Sequence, residues 1–183
     1  MQEKESENHH MSQKNTQNKA KKVAAFGMLI ALAFILSFVE TLIPISLGIP
    51  GVKLGLANLV TIVGLYTIGV PGTIAVSLTR IILVGFTFGN MFSMLYSMAG
   101  GIVSLGLMIL ARRTNWFSKI GVSIIGGIGH NIGQICIAAW VVKTTGVFYY
   151  LPVLLVAGTV AGTVIGLVGG IIVERVQKIA PKF

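Results

Sequence analysis

The sequence has 183 residues, of which 54% are hydrophobic and 10% are charged. Soluble domains carry about 25% charged residues, so this composition excludes an ordinary soluble domain and indicates an integral membrane protein. A net charge of +9 would suggest nucleic-acid binding in a soluble chain. Here the basic residues lie at the ends of apolar segments, which is typical of membrane topology, so we expect no nucleic-acid partner.

The chain divides into a polar tail and an apolar domain. Residues 1–22 are rich in Gln, Asn, Lys and Glu and predict a disordered cytoplasmic tail. Residues 23–175 predict a transmembrane domain in the lipid bilayer, and residues 176–183 a basic cytoplasmic end. About 20 apolar residues are needed to span a bilayer. Six segments approach that length: Val23–Ile43, Leu54–Ile68, Gly72–Phe86, Met91–Ala111, Ile120–Val142 and Tyr149–Val173.

The second and third segments are short and are joined only by the turn Gly69-Val70-Pro71-Gly72. They form either one hairpin that does not cross the full bilayer or two tilted helices packed by their neighbours.

The distribution of Lys and Arg predicts the orientation. With six spans, only Lys53 and Lys143 fall on one side of the membrane, while Arg80 lies within a span. The other side receives Lys4, Lys14, Lys19, Lys21, Lys22, Arg112, Arg113, Lys119, Arg175, Lys178 and Lys182. The positive-inside rule then predicts a six-helix, multi-pass plasma-membrane protein with both termini in the cytoplasm.

Glycine spacing predicts where two helices meet. In the last segment, glycines recur every fourth residue and form one helical stripe. Such stripes let helix backbones approach closely in lipid, where no hydrophobic force draws helices together. The predicted helix-packing residues are Gly158, Gly162, Gly166 and Gly170.

Polar side chains inside a membrane are costly, so each is a candidate for function. Glu40 is the only acidic residue between Glu7 and Glu174. The other candidates come from the second to the fifth segments and, with Glu40, share the predicted outer half of the membrane. They predict an outward-open, net-cationic pocket for a small molecule with an anionic or carbonyl-bearing end. The predicted substrate-binding residues are Glu40, Lys53, Asn58, Arg80, Tyr96, His130, Asn131 and Gln134.

A structural interpretation of these residues stays open. Glu40 would then pair with Lys53 or Arg80, the amides would join helices, and His130 would hydrogen-bond inside the bundle. Nothing in the sequence indicates catalysis, because it has no Asp, no serine marked as a nucleophile and no P-loop. We therefore expect no catalytic residue and no metal site.

Four strings carry a family resemblance. They are Leu36-Ser37-Phe38-Val39-Glu40, Pro50-Gly51-Val52-Lys53-Leu54-Gly55-Leu56-Ala57-Asn58, Leu95-Tyr96-Ser97-Met98-Ala99-Gly100-Gly101 and His130-Asn131-Ile132-Gly133-Gln134. Together they resemble the Gx transporter family, also labelled heptaprenyl diphosphate synthase component I, over Val23 to Val173. That family in turn resembles the substrate-binding S components of energy-coupling factor (ECF) transporters, which are six-helix proteins with cytoplasmic termini.

The resemblance implies a subunit that captures a small molecule in the outer half of the membrane. Its partners would be a transmembrane coupling protein and two cytoplasmic ATPases. The resemblance also implies docking through small residues on the first helix. The matching residues are Ala20, Ala24, Gly27 and Ala31, although Gly27 departs from an all-alanine pattern.

The resemblance leaves a second function open. Members of the family resemble components linked to flavin-based extracellular electron transfer and to quinone or isoprenoid synthesis, which implies a non-catalytic membrane partner handling a flavin or quinone. A catalytic prenyl synthase is not expected, because diphosphate–magnesium sites need clustered oxygen ligands and this chain has no Asp. Thr145-Gly146-Val147-Phe148 lacks the last two residues of a covalent flavin acceptor, so no cofactor is assigned.

Overall fold

The computed structural model describes residues 2–42, 55–89 and 91–179. These ranges contain helices and no strand, so the predicted all-α fold is confirmed. A 3-10 turn, Thr145–Tyr150, precedes the last helix. The α-helices are α1 (Gln2–Leu42), α2 (Asn58–Thr67), α3 (Gly69–Thr87), α4 (Met91–Thr114), α5 (Lys119–Val142) and α6 (Leu151–Ile179).

Five stretches are long and apolar enough to cross a membrane. They are Met11–Leu42, Gly69–Thr87, Met91–Thr114, Lys119–Val142 and Thr145–Lys178. The second predicted segment differs, because α2 has only 10 residues. At 1.5 Å per residue it is about 15 Å long, half of a hydrocarbon layer of about 30 Å. The count of six spans therefore stays a prediction, and so does the placement of both termini in the cytoplasm.

The bundle is apolar on its outside and polar at several positions inside. Exposed side chains on α6 recur every three or four residues: Val153, Val156, Val160, Val164, Leu167 and Ile171. Charged and amide side chains such as Arg80 and Asn131 are buried instead. An apolar band of this kind suits lipid chains, whereas soluble proteins rarely expose large apolar patches. The structure therefore supports a multi-pass membrane protein.

The short helix α2 occupies the centre of the bundle and contacts each of the other five helices. Its residues from Val60 to Leu65 are all buried, and the side chains of Ile62 and Leu65 are fully buried. Contacts with several helices therefore hold α2 in place. One of the two polar regions described below lies at each end of α2.

The glycine stripe of α6 lies along α5. A Cβ added at Gly162 would lie 2.7 Å from Cα of Ile124, and one at Gly166 would lie 2.8 Å from Cα of Ile120. At Gly158 the nearest atoms include the carbonyl oxygen of Gly127, at 2.9 Å. Gly170 differs, because its nearest neighbour is the flexible side chain of Lys119 at 4.0 Å. The backbones of α5 and α6 thus approach closely at three of the four glycines.

The N-terminal segment is helical, whereas the sequence predicts a disordered tail over residues 1–22. Helix α1 begins at Gln2 and continues unbroken into its membrane-length part. Gln, Glu, Lys and Ala all favour helix, and neither Gly nor Pro occurs before Gly27. The described side chains from Met11 to Ala24 are exposed, so helix propensity, rather than packing, accounts for this extension. At the other end, α6 continues to Ile179, into the predicted C-terminal end.

Candidate functional site: a polar cluster at the start of α2

The polar cluster is built around the turn that precedes α2. Glu40, near the end of α1, is 8% exposed. Its Oε1 accepts hydrogen bonds from the backbone N–H groups of Gly55 and, at 3.3 Å, of Leu56. Helix N-termini favour a negative charge, and the N-cap residue Ala57 supplies no side-chain acceptor. Glu40 therefore anchors the end of α1 to the start of α2.

Gly55 is required in this turn for two reasons. Its φ of +81° lies in the left-handed region that favours glycine. A Cβ added to it would lie 2.9 Å from Nδ2 of Asn58 and 3.1 Å from Cδ2 of His130. The turn therefore brings Glu40 of α1, Asn58 of α2 and His130 of α5 to one place.

The imidazole of His130 occupies space made by a glycine of α4. A Cβ added to Gly100 would lie 2.8 Å from both Cε1 and Nδ1 of His130. His130 is 3% exposed. Any larger residue at position 100 would displace the ring, so the helix contact between α4 and α5 positions His130 in the cluster.

Arg80 enters from α3. Its guanidinium donates from Nη1 to Oγ of Ser37 at 3.2 Å, one helical turn before Glu40. Arg80 is buried, and the negative charge of Glu40 attracts its guanidinium. A buried arginine needs an anion or several carbonyl groups near it. Lys53, the other partner that the sequence offers Glu40, lies outside the described residues, so both pairings of Glu40 stay predictions.

Asn58 and Asn131 each keep a buried atom without a hydrogen-bond partner. These atoms are Nδ2 of Asn58 and Oδ1 of Asn131, in residues that are 4% and 2% exposed. Asn131 donates its Nδ2 to the carbonyl oxygen of Leu154 at 2.6 Å, which sets the orientation of its amide. Leaving a buried polar group unsatisfied costs about 1–3 kcal/mol. Asn58 thus offers a donor, and Asn131 an acceptor, to an additional group.

The structure does not place all the predicted substrate-binding residues in one site. Tyr96 packs in an apolar cluster with Ile135, Ala138, Val147 and Leu154. Asn131 lies against α6, and Gln134 is fully buried one turn after His130. Lys53 lies outside the described residues. The structure brings Glu40, Asn58 and His130 together around Gly55, and Arg80 contacts α1 at Ser37, one turn before Glu40. We use the name polar cluster for the side chains of Glu40, Asn58, Arg80 and His130.

The residues predicted to dock a partner lie on the outside of α1. Ala24, Gly27 and Ala31 are exposed, and a Cβ at Gly27 would meet nothing within 4 Å. This face makes no close contact within the described bundle.

Sequence reasoning missed Gly55 and Gly100 as parts of the site. A glycine carries no polar group, so a search for costly intramembrane side chains does not find it. The available signal was the pair Gly100-Gly101 in the interior of a helical segment, since glycine inside a helix has a cost that close packing must offset.

The family model described as heptaprenyl diphosphate synthase component I matches residues 29–172. No curated protein and no solved structure matches the chain. Because the matched range covers well over half of the sequence, the chain belongs to the heptaprenyl diphosphate synthase component I family. The polar cluster falls entirely within that range.

Proposed function

We propose that this member of the family is a membrane-embedded, substrate-binding subunit of a transporter that holds a small molecule in the polar cluster. The observation that carries the proposal is the unsatisfied Nδ2 of Asn58, buried in a cluster that also contains Arg80. A bound ligand oxygen would accept from this amide and remove the cost of leaving it unpaired.

The charges of the cluster suggest the chemistry of the ligand. Arg80 supplies a planar guanidinium with five N–H donors, a group suited to carboxylate, phosphate or carbonyl oxygens. Glu40 is already engaged with the turn before α2. A ligand with an anionic or carbonyl-bearing end therefore fits better than a cation.

Transport would require partner proteins. In our proposal, the exposed face of Ala24, Gly27 and Ala31 docks a transmembrane coupling protein that is driven by cytoplasmic ATPases. Small residues allow the close backbone approach that helix pairs use in lipid. The exposure of this face in the isolated chain supports the docking role.

A second candidate function is that of a non-catalytic membrane partner in isoprenoid or quinone synthesis, or in flavin-linked electron transfer. The family description favours the first of these, since a component I implies another component. The chain would then hold a catalytic subunit at the membrane and would carry no chemistry itself. The absence of Asp from the sequence supports that division of labour.

Native mass spectrometry of the protein, purified gently from its own membrane, tests the first function. We expect a bound small molecule of one mass on the wild type. Asn58→Ala should lose it, because the substitution removes the unpaired donor. Thr67→Ala is the matched control, since Thr67 lies at the other end of α2 and bonds only within its own helix, to Val63. This control should keep the ligand.

Two results would contradict the proposal. If Asn58→Ala retains the ligand as well as Thr67→Ala does, the ligand binds outside the polar cluster. An empty wild type with a stoichiometric prenyl synthase subunit would favour the second function.

A further inference from the structure

A second polar region lies at the opposite end of α2, roughly 16 Å from His130 along α5. An open cleft of about 750 Å³ lies there. It is lined by the end of α2, the connection from α4 to α5, and the end of α6. In the predicted topology this is the basic, cytoplasmic end of the bundle. Neither the family description nor the proposed substrate site accounts for this cleft.

One wall of the cleft holds a fixed cation, Arg112. Its Nη1 donates to the backbone carbonyl of Leu65, and its Cζ lies 4.8 Å from the centre of the Tyr66 ring. Both contacts lie in the last turn of α2. The guanidinium of Arg112 is therefore held in place by packing, and its remaining donors are available to an anion at the cleft.

The lining of the cleft also includes a second cation, Lys119, in an exchangeable ion pair. Nζ of Lys119 lies 3.1 Å from Oε1 of Glu174, and the two side chains are 28% and 66% exposed. An ion pair this exposed contributes about 0–1 kcal/mol. A phosphate group could therefore replace the carboxylate of Glu174 beside Lys119 at little cost.

The remaining lining of the cleft is apolar. Phe117, Leu167 and Ile171 line it and are each about half exposed. The last two belong to the apolar face of α6, which continues toward the middle of the helix. Gly170 adds room, because a Cβ there would contact only the flexible side chain of Lys119, at 4.0 Å, whereas the other glycines of the stripe pack against the backbone of α5. The cleft thus joins a cationic end to an apolar track.

We propose that this cleft binds an anionic membrane phospholipid, with its phosphate between Arg112 and Lys119 and an acyl chain along Leu167 and Ile171. A soluble phosphate would offer the same anion, but the apolar track favours a ligand with a chain. Basic pockets between transmembrane helices at the cytoplasmic side are suited to anionic head groups. The site does not depend on the polar cluster or on the proposed transport function.

The test titrates the purified full-length protein in detergent with phosphatidylglycerol, and separately with phosphatidylcholine carrying the same acyl chains. Native mass spectrometry measures the bound fraction. We expect saturable binding of phosphatidylglycerol and about five-fold weaker binding by Lys119→Gln, as for one lost basic contact. Arg113→Gln is the matched control: it removes the same charge from an exposed neighbour that does not line the cleft. It should bind like the wild type.

A second variant keeps the test decisive if Lys119→Gln is poorly folded. Glu174→Gln removes the competitor for Lys119, so phosphatidylglycerol should bind several-fold more tightly. Unchanged binding by Glu174→Gln would overturn the proposed exchange of Glu174 for phosphate.

Three further results would overturn the proposal. Equal losses in Lys119→Gln and Arg113→Gln would show diffuse attraction by the basic surface. Equal binding of phosphatidylcholine would show an apolar groove without head-group recognition. Displacement of the lipid by millimolar inorganic phosphate would show a site for soluble anions.

Discussion

The two ends of α2 are held in opposite ways. At its start, buried Glu40 accepts from the backbone N–H groups of Gly55 and Leu56. At its end, Arg112 donates to the carbonyl of Leu65 in an open cleft. The signs of both charges match the helix dipole, which favours an anion at the N-terminus and a cation at the C-terminus.

The difference between the ends lies in their access to solvent. The start of α2 contacts Glu40 of α1 and His130 of α5, and its polar groups are buried and costly to leave unsatisfied. The end of α2 faces an open cleft, where charges are screened and can exchange partners. We infer that the first end is suited to selective capture of a small ligand, and the second to a weaker, exchangeable association with lipid.

Removing the anion from the buried end should have the largest effect. Glu40→Ala would leave Arg80 buried without its opposite charge and would release the turn before α2. Breaking one partner of a buried charge pair typically costs about 3–5 kcal/mol. The melting temperature in detergent should therefore fall strongly, and replacing Arg80 as well, in Glu40→Ala/Arg80→Met, should restore part of the loss. Additive losses in the double variant would contradict the coupling between these two side chains.

A substitution that disturbs the contact between α5 and α6 should lower the stability by an intermediate amount. This contact supports both ends of α2. In Gly162→Ala the new methyl group would lie 2.7 Å from Cα of Ile124, which is backbone and cannot move aside easily. Overpacking of this kind costs about 1–3 kcal/mol, which lowers the melting temperature by roughly 2–4 °C per kcal/mol in a chain of this size. Gly170→Ala lies in the same stripe, but its new methyl group would contact only the flexible side chain of Lys119 at 4.0 Å, so it should not lower the melting temperature. Equal effects would contradict the close approach at Gly162.

Removing the cation from the open end should have the smallest effect on stability. Arg112→Gln loses a stacking contact with Tyr66 and a charge at the end of α2. We expect a cost of about 1 kcal/mol, since each contribution is modest at a partly buried site. Thermal denaturation measures this cost. Arg113→Gln is the control, because it makes the same change in net charge without losing the contacts of Arg112. A loss as large as that of Glu40→Ala would contradict the contrast between the two ends.

Most of the fold could be predicted from hydropathy, because five of the helices are long enough to span lipid on their own. The second segment could not be predicted in detail. Hydropathy does not distinguish a helix buried by lipid from one buried by protein, and the short helix α2 is buried by contacts with the five other helices. Helix α1 also begins before the predicted first segment, because a polar segment can still favour helix when nothing interrupts it.

The candidate site could be predicted in part. The cost of burying polar groups identified Glu40, Asn58, Arg80 and His130 as candidates, and the structure brings Glu40, Asn58 and His130 together at Gly55. The same reasoning placed Tyr96 in the site, although its ring packs among apolar side chains. Arg112 and Lys119 were interpreted only as topology signals, because a sequence does not reveal which basic residues face one cleft.

Native mass spectrometry of the wild type, Asn58→Ala and Lys119→Gln in one experiment tests most directly whether α2 separates two sites. We predict that the wild type carries both a small molecule and phosphatidylglycerol. Asn58→Ala should lose only the small molecule, and Lys119→Gln should lose most of the phospholipid while keeping the small molecule. Loss of both species in either variant, or retention of both in both variants, would contradict the separation of the two ends.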